Sequence, residues 1–284
     1  MEWERAKSYI LVFFLLLNIA LGVMLFIEDR RYTLTPDQEQ LIRTVLSQNG
    51  ITMDAVPLQR FPPMRQIEVT GFYYDIDALL DIFFPNPGGV VRSHQFGADI
   101  FQYGIRHMSI SNGFIFFDDP TGYMANPNPP PFTEDWAISL ADSFIQDHFP
   151  DFWQDSIIYT EEGLRIIYRQ MYSGVLVHSN FVEFLITPIG IRQVEMQFGE
   201  IIGHTGTPVS IFSPDEALVS FVQRVRHLAM AEPMTIRFMD LVYFQEYVSD
   251  QDYVYIAVPF YRIFTACGDG RPFLVNAFTN VIID

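Results

Sequence analysis

The sequence predicts an α+β protein: one N-terminal transmembrane helix followed by an extracytoplasmic part built of helix-plus-antiparallel-sheet modules. Three observations predict it. A run of 19 residues, 9–27, carries no charge. Three later segments open with Ser or Thr, place acid in the next few positions and continue with apolar residues, the pattern of a capped helix start. Stretches rich in β-branched and aromatic residues follow each one, broken by Gly, Pro and Asn, as strands are broken by turns.

The uncharged run reads YILVFFLLLNIALGVMLFI. At about 1.5 Å per residue it extends about 28 Å, close to the hydrocarbon thickness of a bilayer. A cleaved signal peptide would have an apolar region of only about 7–15 residues and a small-residue cleavage site. Here Met24-Leu25-Phe26-Ile27 passes straight into Glu28-Asp29-Arg30-Arg31, so an uncleaved anchor is expected, with residues 1–8 as a cytoplasmic tail. Trp3 and Tyr9 would then lie at the inner membrane interface. Asn18 and Gly22, four apart, share a helical face with Phe14 and Leu25. Asn18 is either tolerated through its own backbone or shares a bond with a neighbouring helix, which Gly22 would let approach closely. This face is the expected partner-binding surface.

The first extracytoplasmic unit, 32–120, opens at Thr35-Pro36-Asp37-Gln38, a capping box with Pro at the first helical position. Strands near 51–56 and 65–73, a short helix over 75–84 and a hairpin at Asn112-Gly113 complete it. Residues 118–132, DDPTGYMANPNPPPF, read as a Pro-rich connector. A second domain over 133–284 then contains two similar modules, 133–205 and 213–284. The first of these starts at Thr133, with Trp136, Leu140, Ala141, Phe144 and Ile145 as its apolar face, and continues in strands at 156–160, 164–172, 182–187 and 191–198, with a turn at Pro188-Ile189-Gly190. The last starts at Ser213-Pro214-Asp215-Glu216 and continues in strands at 236–248, 253–266 and 273–277, with Gly268-Asp269-Gly270 as the final hairpin turn.

Composition excludes several functions. The net charge is −17, and residues 1–31 are neutral in sum, so the whole excess lies in 32–284. Such a surface repels phosphate backbones, and no nucleic-acid partner is expected. Cys267 is the only cysteine. No intramolecular disulfide can form, and no zinc site needing two thiolates is available. Its expected role is that of a small residue beside a turn. The chain contains no GxxxxGK[ST], GxGxxG, GxSxG or HExxH. The histidines at 94, 107, 148, 178, 204 and 227 show no short ligand spacing. Asp118-Asp119 and Glu161-Glu162 stand in turn-rich context and read as solvated faces. No enzyme, cofactor or metal is expected. The 41 Phe and Tyr residues exceed what a core alone would use and are compatible with an interaction surface.

The opening Met1-Glu2-Trp3, with Lys7 and a polar Asn18 inside the apolar run, resembles the YycI (WalI) family. The likeness continues through Leu46-Ser47-Gln48-Asn49-Gly50-Ile51, Phe61-Pro62-Pro63-Met64, Val258-Pro259-Phe260-Tyr261-Arg262-Ile263 and Val275-Asn276-Ala277-Phe278-Thr279. The two later modules also look like PepSY-type units. The resemblance implies a regulatory membrane protein that acts on a sensor histidine kinase of the WalK (YycG) type, within the WalK–WalR two-component system controlling cell-wall metabolism. Its implied partners are that kinase and a YycH-like protein. The residue reading leaves a second possibility, an anchored PepSY-like binding module for wall material or for an exported peptidase. A hydrolase is disfavoured by the missing motifs.

Overall fold

The computed structural model describes residues 2–71, 74–123, 131–226, 234–246, 254–266 and 272–283. In chain order the first elements are α1 (Glu2–Arg31), α2 (Pro36–Gln48), β1 (Ile51–Met53), β2 (Met64–Thr70) and α3 (Ile76–Phe83). Four strands follow, β3 (Val91–Gln95), β4 (Ala98–Tyr103), β5 (Arg106–Ser111) and β6 (Phe114–Tyr123). Then come α4 (Glu134–His148), β7 (Phe152–Tyr159), β8 (Leu164–Tyr172), β9 (Val175–Thr187), β10 (Gly190–Gln197) and β11 (Ile201–Val209). The chain closes with α5 (Pro214–Arg226), β12 (Met234–Glu246), β13 (Val254–Thr265), β14 (Phe273–Asn276) and β15 (Ile282–Ile283).

The helix starts follow the side-chain chemistry of the sequence. Thr35 and Gln38 close a reciprocal capping box: the Gln38 amide donates to Thr35 Oγ1 at 3.3 Å, and the Thr35 amide donates to Gln38 Oε1 at 3.0 Å. Thr133 Oγ1 accepts the Trp136 amide at 3.2 Å, and Glu216 Oε2 accepts the Ser213 amide at 2.8 Å. Each satisfies a backbone donor that a helix start leaves without a partner.

The expected transmembrane helix is corrected: among the described residues, no helix is long and apolar enough to cross a membrane. The helix itself forms as α1. The sheet part of the fold class is mixed and antiparallel-rich. Two of its pairings are parallel, β1 with β12 and β9 with β12. Periodicity marks strands but carries no information on partner direction.

The chain forms two compact units. One gathers 1–64, 207–240 and 260–284. Here α2 and α5 place Ile42, Leu46, Leu218, Phe221 and Val222 in a core with Phe260, Tyr261 and Ile263. The β13–β14–β15 ladder runs antiparallel, with Phe260 opposite Asn276 and Leu274 opposite Ile283. Arg262, 1% exposed, donates from Nε and Nη2 to the two carboxylate oxygens of Asp240, at 2.9 and 2.6 Å.

The other unit gathers 65–206 and 241–259. Strands β3 to β6 form an antiparallel meander, β6 pairs with β10, and β7 to β10 continue it. α3 and α4 cover one face. Phe83 stacks on Phe117 at 4.5 Å, and Phe144 lies edge-on to Phe184 at 5.2 Å. Residues 118–123, which the prolines mark as connector, continue β6; 124–130 lie outside the described residues. Between Asp118 and Tyr123 the ladder with β10 is interrupted, and Pro120 is accommodated at this irregularity, where no ladder donor is required. Strands β3, β4, β11 and β15 have no counterpart in the sequence reading. In the first three, polar composition and glycines (Gly97, Gly104, Gly203, Gly206) mask the alternation, and β15 is only two residues long.

Candidate functional site

The sequence-derived site lies on α1. Phe14, Asn18 and Gly22 are exposed on it; the side chain of Leu25 lies outside the described residues. Asn18 Nδ2 donates to the Phe14 carbonyl at 2.9 Å, one turn back, so its amide donor is occupied by its own helix. An added Cβ at Gly22 would meet nothing within 4 Å, which leaves that face open for close approach. Trp3 and Tyr9 are both exposed, and Lys7 Nζ stands 5.2 Å from the Trp3 ring centroid. A groove of about 410 Å³ also follows α1, lined by Ala20, Val23, Met24, Ile27 and Arg31.

The larger unit places a second group of residues together that the sequence reading missed. They stand on the sheet face opposite α3 and α4. Arg169 Nε is 2.8 Å from Asp155 Oδ2, and Arg169 also donates to the His178 carbonyl. Arg165 Nη1 is 2.5 Å from Glu183 and 3.7 Å from Glu195. Burial raises the Glu195 carboxyl above its ordinary range, and the neighbouring Glu183 charge adds to the rise, while Arg165 opposes it. The hydrogen bond to Glu183 raises the Arg165 guanidinium in turn. A cavity of about 410 Å³ opens beside them, lined by Arg169, Phe181, Glu183, Gln197 and Phe244 among others. The signal was present in the sequence: on β8, Arg165 and Arg169 alternate with the core residues Ile166 and Tyr168.

The solvated-face reading of Asp118-Asp119 is corrected. Both are buried, and Asp119 is 0% exposed. Asp119 accepts from the Thr121 amide and hydroxyl at 2.9 and 2.6 Å and faces Arg106 at 2.8 Å. Asp118 is paired with Arg192 at 3.0 Å. Charge neutralisation by arginines on neighbouring strands makes their burial tolerable. Glu161 and Glu162 are exposed. Cys267 and His227 lie outside the described residues. The other histidines are dispersed: His94 faces Asp99 at 2.8 Å, His148 packs on Phe144, and His204 stands 3.3 Å from Ser173. Among the described residues, no three His, Cys, Asp or Glu side chains are grouped to hold a metal.

No protein-family model matches the chain, and no curated protein matches it. Among solved structures it is similar to an uncharacterized protein from Eubacterium rectale ATCC 33656, at 11% identity and a TM-score of 0.52, over 82% of this chain and 89% of that one. At that identity the likeness is one of fold alone. It is also similar to the Bacillus megaterium YpeB C-terminal domain, at 11% identity and a TM-score of 0.42, over 76% of this chain and 97% of that domain. At that TM-score the second likeness carries no argument, and neither likeness speaks for the YycI (WalI) family in particular.

Proposed function

We propose that the protein is a non-catalytic regulator that modulates a sensor histidine kinase of the WalK (YycG) type, together with a YycH-like partner, with its folded units outside the cytoplasm. The observation that carries this reading is the surface of α1. Its large apolar side chains between 9 and 24 are 42–75% exposed on every side of the helix. A helix that is apolar all round is covered in its working state, and the proposal assigns that cover to helices of partner proteins. The open face at Gly22 supports close helix approach. The charged groups of the sheet face support a binding role, since Arg165 and Arg169 are held by Glu183 and Asp155. A partner shifts a kinase between states only by binding one state more tightly than the other.

Crosslinking in intact cells followed by identification of the captured proteins tests the reading. The kinase and a YycH-like protein are expected. Capture of exported peptidases or wall fragments instead, with no kinase, would replace this reading by a PepSY-like binding module, which the cavity beside Arg169 and Glu183 favours. A reporter enzyme fused after Asp284 tests the compartment, with activity expected only outside the cytoplasm.

A further inference from the structure

A second cavity in the larger unit, of about 280 Å³, lies where α4 ends, between Phe149, Phe152 and Phe198. Its walls are aromatic. The three rings meet edge to face, with centroids 5.3–5.9 Å apart. Two carboxylates on separate segments complete the lining: Asp151, just before β7, and Glu200, just after β10. Neither carboxylate has an ion-pair or hydrogen-bond partner among the described residues, in contrast to the arginine-held acids of the sheet face. His148 and Gln170 add polar edges.

The sequence builds this pocket rigidly. Asn180, fully buried, donates to the Gly199 carbonyl at 2.9 Å and accepts the Gly199 amide at 3.3 Å. The Thr70 amide donates to the Glu200 carbonyl at 2.8 Å, and the Glu200 amide donates to Thr70 Oγ1 at 2.9 Å. A Cβ at Gly199 would lie 2.2 Å from the Thr70 carbonyl oxygen, so this close approach needs glycine. Tyr74 accepts the Phe198 amide at 3.1 Å and packs edge-on to its ring at 5.1 Å. The backbone at Glu200 and the place of the Phe198 ring are therefore set before any ligand arrives.

The fixed charges here have one sign, and His148 is the single titratable base in the lining. α4 is a 15-residue helix, and its C-terminal carbonyls carry a partial negative charge. Asp151 and Glu200 add full negative charges, and aromatic rings attract cations through their faces. The volume lies just under the roughly 300–1,000 Å³ of sites for drug-sized ligands, so it suits one side chain or one small amine. We infer that the cavity at the end of α4 is a binding site for an alkylammonium or guanidinium group, presented by a lysine or arginine side chain of a peptide or by a free amine. This goes beyond the proposed regulatory function and does not depend on the identity of any partner of α1.

The test is a titration of the full chain, followed by NMR shifts or calorimetry, with N-acetyl-lysine methylamide, with cadaverine and with a short peptide carrying one internal lysine. The same peptide with norleucine in place of lysine, and inorganic phosphate, are the controls. The ammonium probes should bind and the controls should not. Binding by cadaverine and the single residue alone would assign a free amine, and stronger binding by the peptide would assign a peptide-borne side chain. Glu200→Gln and Phe198→Leu should each weaken binding about two- to fivefold, the size of an exposed ion pair or cation–π contact. Glu161→Gln, exposed and outside the pocket lining, should leave it unchanged. The exposed Glu200 side chain has no described partner, so Glu200→Gln should keep the wild-type melting temperature and its result reads binding directly. Equal binding of lysine and norleucine peptides, binding of phosphate, or indifference to Glu200→Gln and Phe198→Leu would overturn the assignment.

Discussion

Arg262 illustrates how a single polar residue can carry a core. It sits at 1% exposure with Nε and Nη2 paired to Asp240, and its guanidinium carbon lies 5.0 Å from the Phe264 ring centroid. Removing one partner of a buried pair strands the other charge at a loss of about 3–5 kcal/mol. Asp240→Ala should therefore destabilise the protein by about that much in urea unfolding, and a loss under about 1 kcal/mol would show that water reaches Arg262. Glu195 makes the opposite case. Its carboxyl is raised mainly by burial and then by Glu183. A raised carboxylate means that the folded chain binds its proton more tightly than the unfolded chain does. Stability from this group is thus greatest at low pH and falls as pH rises through the raised value. Glu195→Gln should raise the melting temperature at pH 7, and the gain should shrink as pH drops through the raised value and be gone below the ordinary carboxylate range of about 4. A gain that grew on acidification would reverse the assigned sign.

Among the elements, the helices were the most legible in the sequence because their signals are local. Thr35, Gln38, Thr133 and Glu216 cap within four residues of themselves. Strand partners are set by residues far apart in the chain, which is why β12 running parallel to β1 and β9 was not foreseen. The acids at 118–119 were misread for the same reason: Arg106 and Arg192, which neutralise them, come from other strands. Glycine at 122 shows what local reading does catch poorly. Its φ is +82°, and a Cβ would stand 2.3 Å from the Ile189 carbonyl oxygen. Gly122→Ala should thus destabilise by about 1–3 kcal/mol, and an unchanged melting temperature would mean that β6 relaxes there freely. On α1 the structure re-weights the expected face. Asn18 already donates to Phe14, so Asn18→Leu should weaken partner recovery only slightly, whereas Gly22→Ile, which fills the open face, should reduce it roughly tenfold, about 1.4 kcal/mol. Leu16→Ile is the control. If Gly22→Ile left recovery and kinase output unchanged, α1 would not be the regulatory contact.

For the whole molecule, the decisive fact is that neither compact unit is one stretch of chain. The larger unit keeps its aromatic core, with Phe83, Phe117, Phe144 and Phe184, inside 65–206. It borrows 254–257 to cover β2, where Val69 pairs with Tyr255 and Ile67 with Ala257. The smaller unit is more dispersed, because α5 and β12 to β15 need Ile42 and Leu46 of α2 and Ile51 of β1 for their core. A fragment of 65–206 should therefore fold with native-like circular dichroism but melt well below the full chain, since the apolar side chains at Ile67 and Val69 lose their neighbouring strand at roughly 25 cal/mol per Å² of surface exposed. A fragment of 213–284, although it carries a capped helix followed by strands, should stay unfolded by itself and gain structure only when a 32–64 peptide is added. Coupled folding of this kind is read as a concentration-dependent rise in helical signal. Independent cooperative melting of 213–284 without that peptide would mean that the helix-then-sheet module is a folding unit in its own right, and that the strand from 51–53 is an accessory edge instead of a part of the core.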